Sequence, residues 1–393
     1  MKVLLFLLVI LNTFILFAND TNQSNNSNLD YATLSVKPPI YYANLGDTKF
    51  ERGDKRGAIE EFDKAIFLQP DYPIFYTKRA KVKIDLGNVE GAVEDYNKAI
   101  SLKPDYANAF FQRSIIKSNR GDKKGALEDL NKVISISPTN ADAYKNRAFI
   151  KKDLGKKKEA YEDFNSAVSL SPESAEAYNN RGLLGSELGK RKEAMDDFNM
   201  SVSLKSDYLD AYMNRGNLKI KLKEYQSAIE DFDKVISLNS EYMEAYNSRA
   251  TAYLRLKNYK TALDGYDKAL LLNPNDVKAL NGRGYIKLIF KDYEKAVQDF
   301  NYAIAVNPNF AKSYYFRGLA KFKMNELDEA IRDFNKVLTL KINYTDAFFY
   351  RGKAKYDAGD IKNGCMDYQK AKELGSRKVN AKIQKQCEKV VFW

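Results

Sequence analysis

The hydrophobic and polar positions of this chain repeat every 34 residues from Pro39 to Lys378, without insertion or deletion. Within each repeat, apolar residues return at every third or fourth position, which is the spacing of one face of an α-helix. Two such stretches fit in each repeat, helix A over positions 1–14 and helix B over about positions 15–28. The pattern therefore predicts ten consecutive helical hairpins over residues 39–378.

Small and large side chains occupy fixed positions within the repeat. Position 8 is always Gly, Ala or Ser, position 20 is Ala in nine repeats and Gly in the tenth, and positions 4 and 24 are almost always aromatic. Small residues let helices A and B approach closely, and large residues fill the space around the contact. Position 32 is Pro in six repeats, where it helps to end helix B. Since one hairpin cannot bury its apolar face alone, the ten hairpins must stack.

These features resemble the tetratricopeptide repeat (TPR) family in the 34-residue period, the aromatic at position 4, the small residue at 8, Ala at 20, the aromatic at 24 and Pro at 32. The resemblance covers residues 39–378. It implies an all-α fold, a right-handed α-solenoid of helix-turn-helix repeats in which the A helices line a concave groove. It also implies that a protein or peptide partner binds in that groove.

Position 7 departs from the family pattern, because it is Arg in nine repeats where Leu is usual. Position 23, often Tyr in the family, is acidic in nine repeats. A half-buried guanidinium is costly unless a carboxylate binds it in bidentate geometry, so we predict a structural ladder of Arg–carboxylate pairs. The first repeat, which has no preceding helix B, carries Leu45 at position 7, and this favours pairing from one repeat to the next. Representative predicted pairs are Asp163 with Arg181 and Asp197 with Arg215.

This pairing scheme has two consequences. It leaves Arg283 without a partner, because Gly265 occupies position 23 of the preceding repeat. It also predicts that Arg181→Ala destabilises the stack by leaving Asp163 unpaired. The alternative interpretation is a row of arginines that binds an anionic ligand.

The two ends of the chain differ from the repeats. Residues 1–18 hold one Lys and then an apolar run of about 15 residues, which is short for a membrane span and typical of a signal peptide. Residues 19–38 begin with a polar, Asn-rich stretch and are predicted to form a disordered linker. We therefore expect a secreted or periplasmic protein; the alternative is a chain anchored in the membrane by an uncleaved signal.

The C-terminal residues 379–393 carry apolar side chains at helical spacing and are predicted to form a capping helix that covers the last repeat. Cys365 stands at position 21, a position that should face the following helix, and Cys387 lies on the predicted cap. In an exported protein, two cysteines on facing surfaces favour a disulfide. The alternative is a pair of buried free thiols.

Composition limits the possible chemistry. The chain contains no His, which removes the usual general base and most zinc sites. It also lacks a phosphate-binding Gly-rich loop, so we expect no enzymatic activity, no cofactor and no metal. Lys and Arg number 64 against 52 Asp and Glu, but the basic residues are scattered over every repeat and indicate a solvated surface. Nucleic acid is not an expected partner of an exported chain.

Positions 5 and 9 of helix A hold apolar, aromatic and amide residues. Such side chains suit an extended peptide, whose apolar side chains need pockets and whose backbone needs hydrogen bonds. Family members that clamp a chaperone's terminal carboxylate carry Lys at position 5 and Asn at position 9, but here Lys145 is followed by Phe149. The candidate peptide-binding residues are Phe111, Phe149, Asn179, Met213, Asn217, Asn247, Asn281, Tyr285, Tyr315 and Phe349.

Among these candidates, Asn179, Asn247 and Asn281 are favoured, because a polar amide gains little from packing between helices. The alternative is that many residues at position 9 only pack adjacent A helices together.

A second possible site is the edge formed by the A–B turns of repeats three to five, which could contact anionic envelope polymers or lipid headgroups. Solvated turns are the other explanation of this basic edge. The basic residues in these turns are Arg120, Lys123, Lys124, Lys156, Lys157, Lys158, Lys190, Arg191 and Lys192.

We expect the stack of repeats to be monomeric.

Overall fold

The computed structural model describes residues 37–391, a range that contains 21 α-helices and no strand. The predicted signal peptide (1–18) and nearly all of the predicted linker (19–38) lie outside the described residues. The described chain divides into two compact units, one ending at Ile116 and the other beginning at Lys117. In each unit, helical hairpins follow one another along the chain, as the 34-residue period predicts.

The N-terminal unit contains two hairpins and most of helix α5, which crosses the boundary. Its helices are α1 (Pro39–Glu51), α2 (Lys55–Leu68), α3 (Pro73–Asp85), α4 (Val89–Leu102) and α5 (Ala107–Asn119). The C-terminal unit contains α6 (Lys123–Ile136), α7 (Ala141–Asp153), α8 (Lys157–Leu170), α9 (Ala175–Glu187), α10 (Arg191–Leu204), α11 (Leu209–Leu222), α12 (Tyr225–Leu238), α13 (Met243–Arg255), α14 (Tyr259–Leu272), α15 (Val277–Ile289), α16 (Tyr293–Val306), α17 (Ala311–Lys323), α18 (Leu327–Leu340), α19 (Thr345–Asp357), α20 (Ile361–Glu373) and α21 (Ala381–Val391). Between residues 37 and 391, no helix combines the length and the hydrophobicity that crossing a membrane requires.

Each hairpin turns through two fixed positions between its helices. Position 15 adopts a left-handed backbone, as at Gly155 (φ 77°), and this conformation ends helix A. Position 16 is the N-cap of helix B; at Asp122, for example, Oδ1 accepts the backbone N–H of Gly125 at 2.9 Å. In the first nine repeats helix B therefore runs from position 17 to position 30, two residues later than the hydrophobic pattern predicts.

In the C-terminal unit, the small residue at position 8 brings the two helices of a hairpin together. A Cβ at Gly182 would lie 2.9 Å from Cε1 of Phe198, at position 24, and 3.1 Å from the carbonyl oxygen of Ala194, at position 20. Ala194 and Phe198 are buried, and Leu218 of the next hairpin packs against them. The prediction of an all-α stack of helical hairpins is confirmed.

After the tenth repeat, α21 forms where the sequence predicts a capping helix. Val379 and Ile383 pack with Tyr368 of α20, so this C-terminal segment covers apolar surface of the last hairpin. A disulfide joins Cys365 of α20 to Cys387 of α21, with the two Cα atoms 5.4 Å apart. The cap is thus attached both by packing and by a covalent bond.

Candidate ligand-binding groove

The arginine at position 7 pairs within its own hairpin. Arg181 of α9 donates from Nε to Asp197 Oδ2 of α10 at 2.9 Å and from Nη2 to Asp197 Oδ1. The predicted inter-repeat pairs, Asp163 with Arg181 and Asp197 with Arg215, are therefore wrong. In the C-terminal unit, the same pairing recurs in Arg147–Asp163, Arg215–Asp231, Arg283–Asp299, Arg317–Asp333 and Arg351–Asp367.

The close approach of the two helices explains this correction. A Cβ at Gly182 would lie only 3.1 Å from the Cβ of Asp197, so the neighbouring Arg181 reaches that carboxylate across the hairpin. Asp197 is only 4% exposed, and a carboxylate at that depth needs a well-oriented cation. Burial raises the pKa of Asp197, and the guanidinium of Arg181 offsets only part of this rise.

A further donor of each arginine reaches the preceding hairpin. Arg181 Nη1 donates to Asn165 Oδ1 at 3.3 Å, and that acceptor stands at position 25, which is Asn or Asp in each of the first nine repeats. The guanidinium also lies over the aromatic ring at position 4, with its Cζ 5.5 Å from the centroid of Tyr178. The arginine therefore does link adjacent repeats, but through position 25 rather than position 23. Because these contacts use the guanidinium on several sides, the arginines do not form the anion-binding row considered as the alternative.

The seventh repeat lacks the position 23 carboxylate. Gly265 stands on the same hairpin as Arg249, whose Nη1 still donates to Asp233 of the preceding hairpin. Arg283, which was predicted to be unpaired, donates to Asp299 at 3.1 Å and to Asp267 at 2.9 Å. The prediction about Arg283 is wrong for the same reason as the ladder scheme: in the C-terminal unit, wherever position 23 is acidic, the arginine pairs with the position 23 carboxylate of its own helix B, not with that of the preceding one.

Sequence reasoning missed a second cation for the same carboxylate. Position 11 is Lys in eight repeats, and Lys151 Nζ lies 2.8 Å from Asp163 Oδ2. The two exceptions are Gly185 and Tyr253. Tyr253 belongs to the repeat in which Gly265 replaces the carboxylate, so the second cation and its acceptor are lost together. The strict period at position 11 was the signal that could have identified this lysine.

The first repeat, with Leu45 at position 7, uses lysines instead. Glu61 accepts from Lys49 Nζ at 2.7 Å and from Lys64 Nζ at 3.0 Å. Burial by itself raises the pKa of Glu61, but the hydrogen bonds from the two lysines outweigh it, so the pKa lies below its ordinary value. The position 23 carboxylate is thus held by cations in a repeat without the arginine.

The C-terminal unit contains a cavity of about 1000 Å³ along the A helices α13, α15, α17 and α19. We call it the main groove. Four of the predicted residues line it, namely Asn247, Asn281, Tyr285 and Tyr315. Helix A thus supplies the groove of this unit, as the resemblance implies.

A smaller cavity of about 460 Å³ adjoins the main groove and shares Glu244, Ser248 and Lys278 with it. Its lining includes the predicted residues Asn179, Met213 and Asn217. The two cavities together bring seven of the ten predicted residues to neighbouring surfaces of the C-terminal unit.

The remaining predicted residues lie elsewhere. Phe149 packs edge-on against Phe164 with the ring centroids 5.3 Å apart, and Phe349 lies 5.6 Å from Tyr368 by the same measure. Both are half-buried and contribute to the packing of their hairpins. Phe111 is half-buried in the N-terminal unit.

The three favoured asparagines are buried, with exposures of 4% for Asn179, 8% for Asn247 and 6% for Asn281. Asn179 accepts from Asn214 and Asn281 donates to Ser313, each in the next repeat, and Asn247 donates to Asp276, the last residue of its own repeat and the N-cap of the next helix A. These amides gain more from packing than the sequence reasoning assumed. Their role as ligand contacts stays a prediction.

Asn281 differs from Asn179 and Asn247 because one of its buried side-chain atoms has no hydrogen-bond partner in the structure. Its Nδ2 donates to the Val277 carbonyl oxygen at 2.7 Å and to Ser313 Oγ at 2.8 Å. Its Oδ1 is buried and has no hydrogen-bond partner in the structure. Because a carbonyl oxygen can only accept, the contact with Val277 sets which end of the amide is the nitrogen. The unpaired oxygen belongs to a side chain that lines the main groove.

Aromatic side chains form one wall of the main groove. Tyr285 and Phe316 have ring centroids 5.0 Å apart, and Tyr315 lies 6.2 Å from Tyr350 by the same measure. Tyr315 is 7% exposed, and burial raises the pKa of its hydroxyl. Phe316 and Tyr350 stand at position 6, outside the predicted ligand-binding positions 5 and 9. The presence of aromatic residues at position 6 in two consecutive repeats could have identified them.

The exposed rim of the main groove is basic. Lys378 pairs with Asp346 at 2.9 Å and lies over the ring of Tyr350. Within residues 37–391, five other cations of the rim have no carboxylate oxygen within 4 Å, whereas the acidic lining residues Asp276 and Asp346 are both engaged and leave Glu244 alone to offset that charge. The five cations are Arg255, Lys257, Lys278, Lys312 and Lys323.

The basic turn edge of repeats three to five is different, because several of its lysines pair with carboxylates. Lys123 Nζ lies 3.1 Å from Asp153, and Lys157 Nζ lies 2.9 Å from Glu187. These ion pairs reduce the charge that the turns could offer to an anionic polymer or lipid.

Comparison with known proteins shows the family of this chain. Models described as "Tetratricopeptide repeat" match residues 40–72, 141–174, 175–208, 209–242, 244–276 and 311–342, and one described as "TPR repeat" matches residues 80–114. No curated protein matches the sequence significantly. A tetratricopeptide repeat protein from Parabacteroides merdae is 25% identical, with 63% of this chain and 97% of that chain covered and a TM-score of 0.51.

The structure of the APC/C hetero-tetramer Cut9–Hcn1 shares the fold. It is 15% identical, 90% of each chain is covered, and the TM-score is 0.54. At this identity, the similarity between the two proteins shows a shared arrangement of helices and nothing about function. Together, the matched repeats and the paired helices show that this chain belongs to the tetratricopeptide repeat family.

Proposed function

We propose that this chain is a non-enzymatic scaffold that binds an extended segment of a protein partner in the main groove. TPR proteins generally bind protein or peptide partners and are generally not enzymes. The observation that carries the proposal is the main groove, a cavity of about 1000 Å³ lined by four A helices. It combines half-buried aromatic rings with polar groups, which is the combination that binds side chains and orients a peptide backbone.

Photocrosslinking tests the position of the partner. A photoreactive phenylalanine analogue replaces Lys312 on the groove rim or, as a matched control, Lys336, an exposed lysine on α18 of the same repeat. We expect the Lys312 variant to crosslink a discrete protein through one linear segment, and the Lys336 variant not to do so. Equal crosslinking at both positions, or none at Lys312, would contradict groove binding.

The proposal includes a location outside the cytoplasm. Its support is the apolar run in residues 1–18 and the bonded pair Cys365–Cys387, because disulfides persist in oxidising compartments. Mass spectrometry of the N-terminus of the natural protein tests it. We expect the mature chain to begin at Asn19 in a secreted or periplasmic fraction; a chain that begins at Met1 in the cytoplasmic fraction would contradict this.

A further inference from the structure

We propose that the main groove selects an acidic extended segment and that a backbone N–H of this segment donates to Asn281 Oδ1. This inference rests on the proposed function, because it assigns the chemistry of the partner that occupies the same groove. Three independent features of the described residues carry it: an unpaired buried acceptor, a set of unpaired cations and an aromatic wall.

The unpaired acceptor favours a partner that supplies a hydrogen-bond donor. Asn281 is 6% exposed, and its Oδ1 has no hydrogen-bond partner in the structure. A buried polar atom without a partner is costly, so a ligand that supplies an N–H recovers that cost on binding. The amide cannot be reversed, because its Nδ2 must donate to the Val277 carbonyl oxygen. Ser313 Oγ lies 2.8 Å from the same nitrogen and holds the amide from the neighbouring helix.

The charges around the groove favour an acidic partner. In the described part of the chain, five rim cations have no carboxylate partner, and Lys278 and Lys312 flank the Asn281 region on α15 and α17. Asp276 is already used, since its Oδ1 accepts from the Ala279 backbone and from Asn247. Asp346 is paired with Lys378. The uncompensated charge of the rim is therefore positive, and it favours Asp and Glu side chains over Lys and Arg.

The combination of features favours a peptide over other polyanions. Polyphosphate and acidic polysaccharides match the cations, but they do not supply a backbone amide at each step for Asn281. An extended peptide also places successive side chains on opposite sides. Acidic residues can then face the lysines while apolar residues contact Tyr285, Phe316 and the half-buried Leu319.

Fluorescence anisotropy with a short labelled peptide of alternating Asp and Leu tests the charge requirement. We expect this peptide to bind about tenfold more tightly than the same peptide with Asn for Asp, and the difference to shrink as salt is added. The double variant Lys278→Gln/Lys312→Gln should lose most of the difference. A matched variant, Lys234→Gln/Lys336→Gln, changes two exposed lysines on B helices and should keep it. Equal affinity for the Asp and Asn peptides would overturn the proposal.

N-methylation of the peptide, one amide at a time, tests the hydrogen bond to Asn281. In the natural chain we expect one N-methyl group to weaken binding about fivefold, and in Asn281→Ala the same group to cost nothing. A flat N-methyl scan with the natural chain would overturn the assignment whether or not the variant folds. If polyphosphate displaces the peptide and binds equally well to Asn281→Ala, the groove is a general polyanion site and the proposal fails.

The two proposals fail in different ways. If Lys312 crosslinks a linear segment that is neutral or basic, groove binding stands and the selection of acidic segments is wrong. If Lys312 crosslinks nothing while Lys336 does, the partner binds elsewhere and both proposals are wrong.

Discussion

Each arginine at position 7 is held by several contacts at once. Arg181 donates to the carboxylate of its own hairpin, donates to an amide of the preceding hairpin and lies over a tyrosine ring. A buried ion pair is weak evidence for stability, because desolvation offsets much of its attraction, but the loss of one partner leaves a buried charge alone. The network therefore matters most when it is broken.

We expect Arg181→Ala to lower the free energy of unfolding by about 3 kcal/mol, because Asp197 then remains buried without its cation. Chemical denaturation followed by circular dichroism measures the change. Asn165→Ala, which removes only the neutral acceptor in the preceding hairpin, should cost about 1 kcal/mol or less. A negligible effect of Arg181→Ala would show that the pair contributes little to the stack.

A double-mutant cycle identifies the partner of Arg181. The coupling energy between Arg181→Ala and Asp197→Ala should be about 1–3 kcal/mol. The coupling energy between Arg181→Ala and Asp163→Ala should fall below about 0.5 kcal/mol. The opposite result would support pairing between repeats and contradict the hydrogen bonds described above.

The turn between helices A and B carries backbone strain in four of the repeats. Position 15 is Gly in repeats one to five and ten, with φ between 77° and 92°. In repeats six to nine it is Lys223, Lys257, Lys291 or Asn325, with φ between 61° and 67°. A side chain in this left-handed region costs free energy that glycine avoids, so these four turns are less favourable than the others.

We expect Lys223→Gly to raise the free energy of unfolding by about 0.5–1 kcal/mol, because it removes that backbone strain. Lys223 is chosen since it does not line the main groove, whereas Lys257 does. The reverse change, Gly189→Lys, places a side chain at φ 83° and should destabilise by a similar amount. Thermal unfolding measures both, and a lower melting temperature for Lys223→Gly would contradict the strain interpretation.

The C-terminal unit ends in a cap that is covalently attached. The bond between Cys365 and Cys387 closes a loop with a sequence separation of 22 residues. Stacked repeats need a covered terminal face, because an exposed apolar hairpin would otherwise meet water. The disulfide limits how far α21 can move from α20 when the end of the stack opens.

Reduction of the disulfide should lower the stability of the C-terminal end by about 3 kcal/mol in the chain-entropy model. Hydrogen exchange of α20 and α21 with and without a reductant measures this effect locally. The variant Cys365→Ser/Cys387→Ser serves as the control, because its exchange should not respond to the reductant. Two free thiols in a non-reducing intact-mass measurement of the natural protein would contradict the bond.

Much of the fold was predictable from the sequence, because its causes are local and periodic. Apolar spacing along a helix and the small residues at positions 8 and 20 depend on near neighbours, so the hairpins and their close packing follow directly. The cap and its cysteines were predictable for the same reason. The bounds of helix B were missed by two residues, since the N-cap at position 16 is polar and carries no hydrophobic signal.

The groove was predictable only in outline. Its aromatic and amide composition was visible at positions 5 and 9, but the aromatic residues at position 6 and the burial of Asn281 depend on how neighbouring A helices stack. An amide has two ends, and the position of Val277 and Ser313 in space determines which end is satisfied. The residue order therefore cannot show that Oδ1 of Asn281 lacks a partner.

The pairing of the arginines shows where the repeat period stops being informative. Asp163 precedes Arg181 by 18 residues, and Asp197 follows it by 16. Both carboxylates recur with the same 34-residue period, so periodicity alone cannot distinguish them. The choice is made in three dimensions, because Gly182 lets α9 approach α10 until the Asp197 carboxylate lies within reach of the guanidinium.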